Sequence, residues 1–89
     1  MASYEAELKI NNQSFKAMGE SVFEALKAVH PHPNDLLFFK TKGHIHVSLG
    51  KNKVERNNLT PLQLRRLFNK IGNYSMMKII AEQISAGFK

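Results

Sequence analysis

Basic side chains concentrate in the second half of this 89-residue chain and define the chemistry that the sequence favours. Residues 1–39 carry three lysines against five acidic residues, whereas residues 40–89 carry seven lysines and three arginines against two glutamates. This charge split is typical of a protein with one surface for an anionic partner. The candidate binding residues lie between positions 40 and 70: Lys40, Lys42, Lys51, Lys53, Arg56, Arg65, Arg66 and Lys70.

Lysine and arginine spread over one surface, with polar neighbours that donate hydrogen bonds, are what a phosphate backbone requires. Such neighbours are present in the same segment as amide side chains: Asn52, Asn57, Asn58, Gln63 and Asn69. The segment contains no aromatic, glycine-loop or zinc-finger pattern for reading bases. It therefore predicts backbone binding to DNA or RNA. The alternative is that lysines at strand edges only prevent edge-to-edge aggregation.

The four histidines of the chain form two pairs, and each pair has a spacing that could serve a metal site. His44 and His46 project from the same side of one predicted strand, and His30 and His32 flank a proline in a predicted loop. Zinc could bind if the two pairs met, but structural zinc usually takes thiolates and the chain has no cysteine. We favour exposed histidines on a basic sheet face and predict neither a metal nor another cofactor.

Catalytic constellations are poorly represented. No serine lies in a nucleophile signature, and the dispersed glycines form no phosphate-cradling loop. Glu5 and Glu7 share one strand face and could act as a carboxylate pair, but alternation predicts that this face is solvated. We expect a protein that is not an enzyme.

The first half of the chain predicts a β-hairpin followed by a helix. Apolar and charged residues alternate over 4–10, an Asn11-Asn12-Gln13 turn follows, and a second strand covers 14–18. Ser21 and Glu24 form a capping-box pattern at a helix start, and the helix ends near His30 because prolines follow. One apolar stripe marks its buried side: Val22, Ala25, Leu26 and Val29.

The second half predicts strands at 36–41 and 44–49, a short edge strand at 54–57, and two helices. Thr60 and Gln63 form a capping box around Pro61, and the helix runs to Ile71 before Gly72. The last helix runs from 76 to about 86, capped by Asn73 or Ser75. Its wide apolar surface fits a central core helix or a homodimer face, and the small domain size favours the core.

Together these elements predict one α+β domain over residues 1–89, with antiparallel strands in the order ββαββ(β)αα and helices packed on one sheet face. The N-terminal residues include glutamates without a long apolar run, so we expect no signal peptide. No apolar stretch approaches the roughly 20 residues of a membrane span. We therefore expect a cytoplasmic protein that binds no membrane.

Two segments carry a family resemblance. The pattern Tyr4-x-Ala6-x-Leu8-x-Ile10-Asn11-x-x-x-Phe15-Lys16-Ala17-x-Gly19-Glu20, then Glu24-Ala25-Leu26, resembles small uncharacterised proteins of bacteriophages and mobile elements. Gly50-Lys51-x-Lys53-Val54 and Pro61-x-Gln63-Leu64-Arg65-Arg66-Leu67-Phe68 are similar to them as well. The resemblance implies a bacterial host cytoplasm and no particular activity. The opening ββα unit also resembles the start of HicB-type antitoxins, from which the remainder departs.

The sequence thus favours a non-enzymatic nucleic-acid-binding accessory or regulatory protein of phage type. The alternative is a protein-binding module, such as a phage-encoded inhibitor or adaptor of a host protein. That module would use its apolar C-terminal helix, or place the basic face on an acidic protein surface.

Overall fold

The computed structural model describes residues 3–10, 12–29, 41–68 and 74–88, and shows an α+β fold. In chain order the elements are β1 (Tyr4–Ile10), β2 (Gln13–Gly19), α1 (Val22–Ala28), β3 (Gly43–Leu49), β4 (Asn52–Leu59), α2 (Pro61–Leu67) and α3 (Ser75–Ala86). The predicted α+β class and the predicted ββαββαα order of elements are confirmed. The edge strand expected at 54–57 is a full strand, β4, whereas the strand expected at 36–41 lies outside the described residues except for Thr41, where the chain bends.

The four described strands form one antiparallel sheet in the order β2-β1-β3-β4. Both hairpins close through two-residue turns. Ile10 pairs with Gln13 around Asn12, whose φ is 66°, and Leu49 pairs with Asn52 around Gly50, whose φ is 61°. Asparagine and glycine tolerate this left-handed backbone better than other residues, so the turn chemistry sets both registers.

The two sheet faces differ as the alternation predicts. Ala6, Leu8 and Ile10 of β1 and Ile45 and Val47 of β3 are buried beneath the helices. Residues between them point to the opposite side, which the described helices leave uncovered and which we call the open face. In three rows across β2, β1, β3 and β4 the open face carries Met18-Glu5-Ser48-Lys53, Lys16-Glu7-His46-Glu55, and Ser14-Lys9-His44-Asn57.

Helix α1 packs closely on β2 and α3. The Ser21 hydroxyl accepts a hydrogen bond from the Glu24 backbone N–H at 3.1 Å, which caps the helix as expected. The helix ends at Ala28, two residues before the predicted end. Gly19 permits the close approach, since a Cβ there would lie 2.4 Å from the Ala25 nitrogen. The predicted stripe is buried throughout: Val22, Ala25, Leu26 and Val29.

Helix α2 begins where its capping box predicts. The Gln63 N–H donates to Thr60 Oγ1 at 3.2 Å, and the Thr60 N–H donates to Gln63 Oε1 at 2.9 Å. Leu59 before the cap and Leu64 after it are both buried, as a hydrophobic staple requires. The helix ends at Leu67, four residues before the predicted end at Ile71, because the Phe68 backbone (φ −107°, ψ 35°) is no longer helical and forms the C-cap. The predicted Gly72 stop lies outside the described residues.

Helix α3 is a core helix with one large apolar side chain exposed. Met77, Ile80, Ala81 and Ile84 are buried against the rest of the chain, whereas Ile79 is 51% exposed. Its N-cap position is Tyr74, which makes no side-chain capping bond. The predicted cap at Ser75 is therefore wrong, because Ser75 already has helical backbone; the other predicted cap, Asn73, lies outside the described residues.

Candidate functional site

The basic residues predicted to act together are distributed over opposite ends of the sheet. Lys42 immediately precedes β3, whereas Lys51 lies in the β3–β4 turn at the far end of the same strand. Lys53 lies on the open face near that turn. Lys40 and Lys70 lie outside the described residues. A seven-residue strand separates the two groups by roughly 20 Å, so they do not form one continuous site.

Arg56 lies on the helix-covered side of the sheet. It pairs directly with Ile45, which is fully buried, and directly paired residues of antiparallel strands share a face. The Arg56 Nε is buried and has no hydrogen-bond partner in the described part of the protein. Arg56 and Lys53 therefore lie on opposite faces, although only three positions separate them in the sequence.

Arg65 and Arg66 are exposed on α2 at the same end of the sheet as Lys42. Leu64 fixes this location, because a Cβ on Gly43 would lie 2.8 Å from Leu64 Cδ1. We call this region, where β3 begins and β1 and β4 end, the Gly43 end. None of these three cations forms an ion pair with a described residue.

The centre of the open face is charge-balanced. Glu7 lies 3.9 Å from Lys9 Nζ and 3.7 Å from Lys16 Nζ. Glu55 Oε1 lies 3.1 Å from Lys53 Nζ and 3.0 Å from His46 Nδ1. His46 Nδ1 forms no hydrogen bond with a described residue, and its contact with Glu55 is an ion pair only when the ring is protonated. Three lysines meet three glutamates across the three rows, which leaves this area without a net positive field.

Both central carboxylates have a lowered pKa. The hydrogen bond from the Ser14 hydroxyl is the main cause for Glu7, and the nearby Lys9 and Lys16 act in the same direction. For Glu55 the main cause is the hydrogen bond from Lys53, supported by the nearby His46. Both groups therefore stay ionised at neutral pH and continue to neutralise the lysines around them.

A cleft of about 570 Å³ opens at the Gly43 end, beside the last pairs of β1 and β2. Its described lining residues include two lysines and a histidine and no carboxylate, in contrast to the centre of the open face: Lys9, Ile10, Asn12, Gln13, Ser14, Thr41, Lys42 and His44. A cleft of this size with convergent polar groups has the dimensions of a ligand site. The described lining therefore carries two positive charges and no negative charge.

His44 is held at the edge of this cleft by β4. Its Nδ1 lies 3.2 Å from Asn57 Oδ1. The β3–β4 register shifts by one residue between Gly43 and Ile45, and Asn58 adopts a φ of 62° in this irregular stretch. This irregularity is a β-bulge: Gly43 pairs with Leu59 before it and Ile45 pairs with Arg56 after it. Asn57 lies between these two pairs and is placed beside His44.

Within the described residues, no group of three or more histidine, aspartate or glutamate side chains could hold a metal ion. His44 and His46 lie on the same open face, as expected from alternation. His30 and His32, the second half of the proposed zinc set, lie outside the described residues.

The sequence interpretation missed the cleft, although part of its signal was available. Alternation had already placed Lys9 and His44 on outward faces of their strands. Only the pairing of β1 with β3 makes them direct neighbours, and 34 intervening residues hide that pairing from any local pattern. Asn12 and Ser14 join them through the β1–β2 turn.

A second concavity, of about 430 Å³, lies between α1 and α3 and is largely apolar. Its lining residues are Ser21, Val22, Phe23, Lys78, Ala81, Glu82, Ser85 and Ala86. The Phe23 ring meets the Tyr74 ring edge-on at 5.9 Å, which stabilises its position beside the groove.

None of the helices in the described ranges has the length and apolar character that a membrane crossing requires. In comparisons with known proteins, no family model, no curated protein and no solved structure matches this chain.

Proposed function

We propose that this protein is a non-enzymatic nucleic-acid-binding accessory or regulatory protein that contacts the phosphate backbone through its Gly43 end. One observation carries the proposal: Lys42, Arg65 and Arg66 all lie at this end of the sheet without a carboxylate partner among the described residues. Unneutralised lysine and arginine on one surface supply the counterion release that drives backbone binding.

The charge balance elsewhere supports the choice of this end. Lys53 is engaged by Glu55, and Lys9 and Lys16 both approach Glu7, so the centre of the open face offers little net attraction to an anion. Lys51, at the opposite turn, forms no ion pair with a described residue. The binding surface proposed from the structure is therefore narrower than the set of eight residues predicted from the sequence.

Backbone contact rather than base stacking suits this surface. The described strands place no aromatic side chain on the open face, while Phe15 lies directly opposite the buried Leu8 and shares its helix-covered side. Stacking platforms for single-stranded bases normally use exposed aromatic rings. We therefore propose weak sequence preference, with both DNA and RNA as possible ligands.

The salt dependence of binding tests the proposal. Fluorescence anisotropy with labelled duplex DNA, single-stranded DNA and RNA at ~50 mM and ~200 mM salt should show affinity that falls steeply for at least one ligand. The variant Arg65→Ala/Arg66→Ala removes two phosphate contacts and should reduce the slope of log K against log salt by about 2. Lys51→Ala/Lys53→Ala is the matched control, because it removes the same charge at the opposite end and should leave the slope unchanged.

Two outcomes would contradict the proposal. No binding of any nucleic acid at ~50 mM salt would exclude backbone binding. An equal loss in both double variants would show that overall charge, rather than the Gly43 end, drives association. Circular dichroism of each variant should match that of the parent protein, since Arg65 and Arg66 are exposed.

A protein-binding module is the second candidate, and the apolar groove beside α3 is the observation that favours it. Ile79 is 51% exposed on the same helix, so α3 could contact a second copy or a host protein. Sedimentation velocity of the parent and of Ile79→Asp tests self-association. A dimer that the substitution dissociates would support this candidate, and a monomer in both cases would exclude a homodimer through Ile79. For either candidate we propose a phage-type protein acting in a bacterial cytoplasm.

A further inference from the structure

The cleft at the Gly43 end brings together donors from three parts of the chain. Lys9 comes from β1, Asn12 and Gln13 from the β1–β2 turn, and Lys42 from the residues before β3. The Ser14 hydroxyl is already used, because it donates to Glu7. Lys9 also lies 3.9 Å from Glu7, whereas Lys42 forms no ion pair with a described residue. Two ammonium groups and two side-chain amides, in a cleft whose described lining contains no carboxylate, suit a tetrahedral oxyanion, which accepts several hydrogen bonds at once.

His44 adds a donor that depends on pH. Its Nδ1 lies 3.2 Å from Asn57 Oδ1, and a hydrogen bond to this oxygen, which can only accept, requires the tautomer with the hydrogen on Nδ1. In the neutral ring Nε2 is then an acceptor and repels an anion. Protonation converts Nε2 into a charged donor. His44 lines the cleft and Asn57, which approaches from β4, does not. We infer that Nε2, the ring nitrogen not occupied by Asn57, is the one that meets a bound anion.

The groups around His44 favour a link between its protonation and the binding of an anion in the cleft. Lys9 lies directly opposite on β1, and Lys42 stands two residues earlier in the chain. The neighbouring row of the open face holds Glu7, His46 and Glu55. Both glutamates are engaged by lysines, and Glu7 by Ser14 also. Because the described lining of the cleft contains no carboxylate, a bound anion is well placed to stabilise a positive charge on His44.

We propose that this cleft binds one phosphate group of the nucleic-acid backbone and that binding is coupled to proton uptake at His44 Nε2. The inference rests on the proposed function and deepens it, because it makes the affinity of the Gly43 end sensitive to pH. Histidine is the side chain that ordinarily changes charge between about pH 5 and 8. Binding should therefore be tight on the acid side of that range and weaken as the pH rises.

Sulfate is a suitable probe, because it has the tetrahedral shape of a phosphodiester and does not titrate in this range. NMR spectra of the ¹⁵N-labelled protein are recorded during sulfate addition at about pH 6 and about pH 8, with chloride at equal ionic strength as the control. We expect saturable chemical-shift changes at the backbone amides of Lys9, Asn12, Lys42 and His44. The affinity for sulfate should be about tenfold higher at the lower pH, because protonated His44 donates a charge-assisted hydrogen bond that the neutral ring does not make.

His44→Gln separates proton coupling from simple attraction. Glutamine retains a neutral donor, so this variant should bind sulfate with the same affinity at both pH values. Persistence of the pH dependence in His44→Gln would overturn the role of His44. Shifts that do not saturate, or that chloride reproduces, would overturn the anion site itself. Unchanged amide positions outside the cleft verify that the variant is folded.

A titration with an oligonucleotide distinguishes a failure of this inference from a failure of the proposed function. The same duplex or single strand that binds best is titrated into the parent protein and His44→Gln at both pH values. Loss of the pH effect in the variant supports the proposal. If Arg65→Ala/Arg66→Ala weakens binding but pH has no effect, the coupling of phosphate binding to His44 is refuted and backbone binding stands. Sulfate binding without any oligonucleotide binding refutes the assignment of the cleft to nucleic acid.

Discussion

Gly19 is the position at which a single methyl group should separate two elements of this fold. A Cβ at Gly19 would lie 2.4 Å from the Ala25 nitrogen, 2.7 Å from the Glu24 carbonyl carbon and 2.9 Å from the Ala25 Cα. All three are backbone atoms of α1, so no side-chain rotation can relieve the overlap. We expect Gly19→Ala to force α1 away from β2 by about 1 Å, the distance needed to restore ordinary van der Waals separation.

The cost follows from what α1 buries. Val22 is 2% exposed and Leu26 is 1% exposed, and burial of such side chains contributes about 1.5–3 kcal/mol each. A gap of about 0.5–1 Å forfeits a quarter to a half of the attraction across it. Gly19→Ala should therefore destabilise the protein by about 1–3 kcal/mol, which is the usual range for overpacking. For a domain of this size each kcal/mol lowers the Tm by about 4–8 °C.

Gly50→Ala provides the matched control, because nothing lies within 4 Å of a Cβ at that turn. Its cost comes only from the left-handed φ of 61° and should be about 1 kcal/mol. Urea denaturation of the two variants beside the parent measures both changes. The close packing of α1 on β2 would be refuted if the urea midpoint of Gly19→Ala equalled that of the parent protein or exceeded that of Gly50→Ala.

Two further substitutions test a helix cap and a carboxylate. Thr60→Ala removes the hydroxyl that caps α2 and should cost about 1 kcal/mol in urea denaturation, whereas Thr60→Ser should keep most of that stability; equal losses would exclude the capping role. Ser14→Ala removes the main cause of the lowered pKa of Glu7, so the pKa should rise toward its ordinary value in a carboxyl NMR titration. A carboxylate whose pKa is lower in the folded state than in the unfolded state stabilises the fold at a pH above its unfolded-state pKa. That stability is lost as the pH falls through the folded-state pKa, so acid unfolding of Ser14→Ala should begin at a higher pH than acid unfolding of the parent protein. An unchanged Glu7 titration would contradict this assignment.

Features that depend on neighbouring residues could be read from the sequence. The capping box of α2 forms between Thr60 and Gln63 as predicted, because both partners lie within one helical turn. The alternation in β1 correctly separates the buried Leu8 from Glu7, since successive side chains of a strand point to opposite faces. These local rules were enough for the α+β class and the order of the described elements.

The tertiary structure alone decided which of these elements meet. The eight basic residues looked continuous in the sequence, yet Lys42 and Lys51 lie beyond opposite ends of β3, and the register turns Arg56 toward the helices. Lys9 and His44 became neighbours only through the pairing of β1 with β3. That pairing joins segments far apart in the chain, and its register is set by burying Leu8 and Ile45 beneath the same helices rather than by any local pattern.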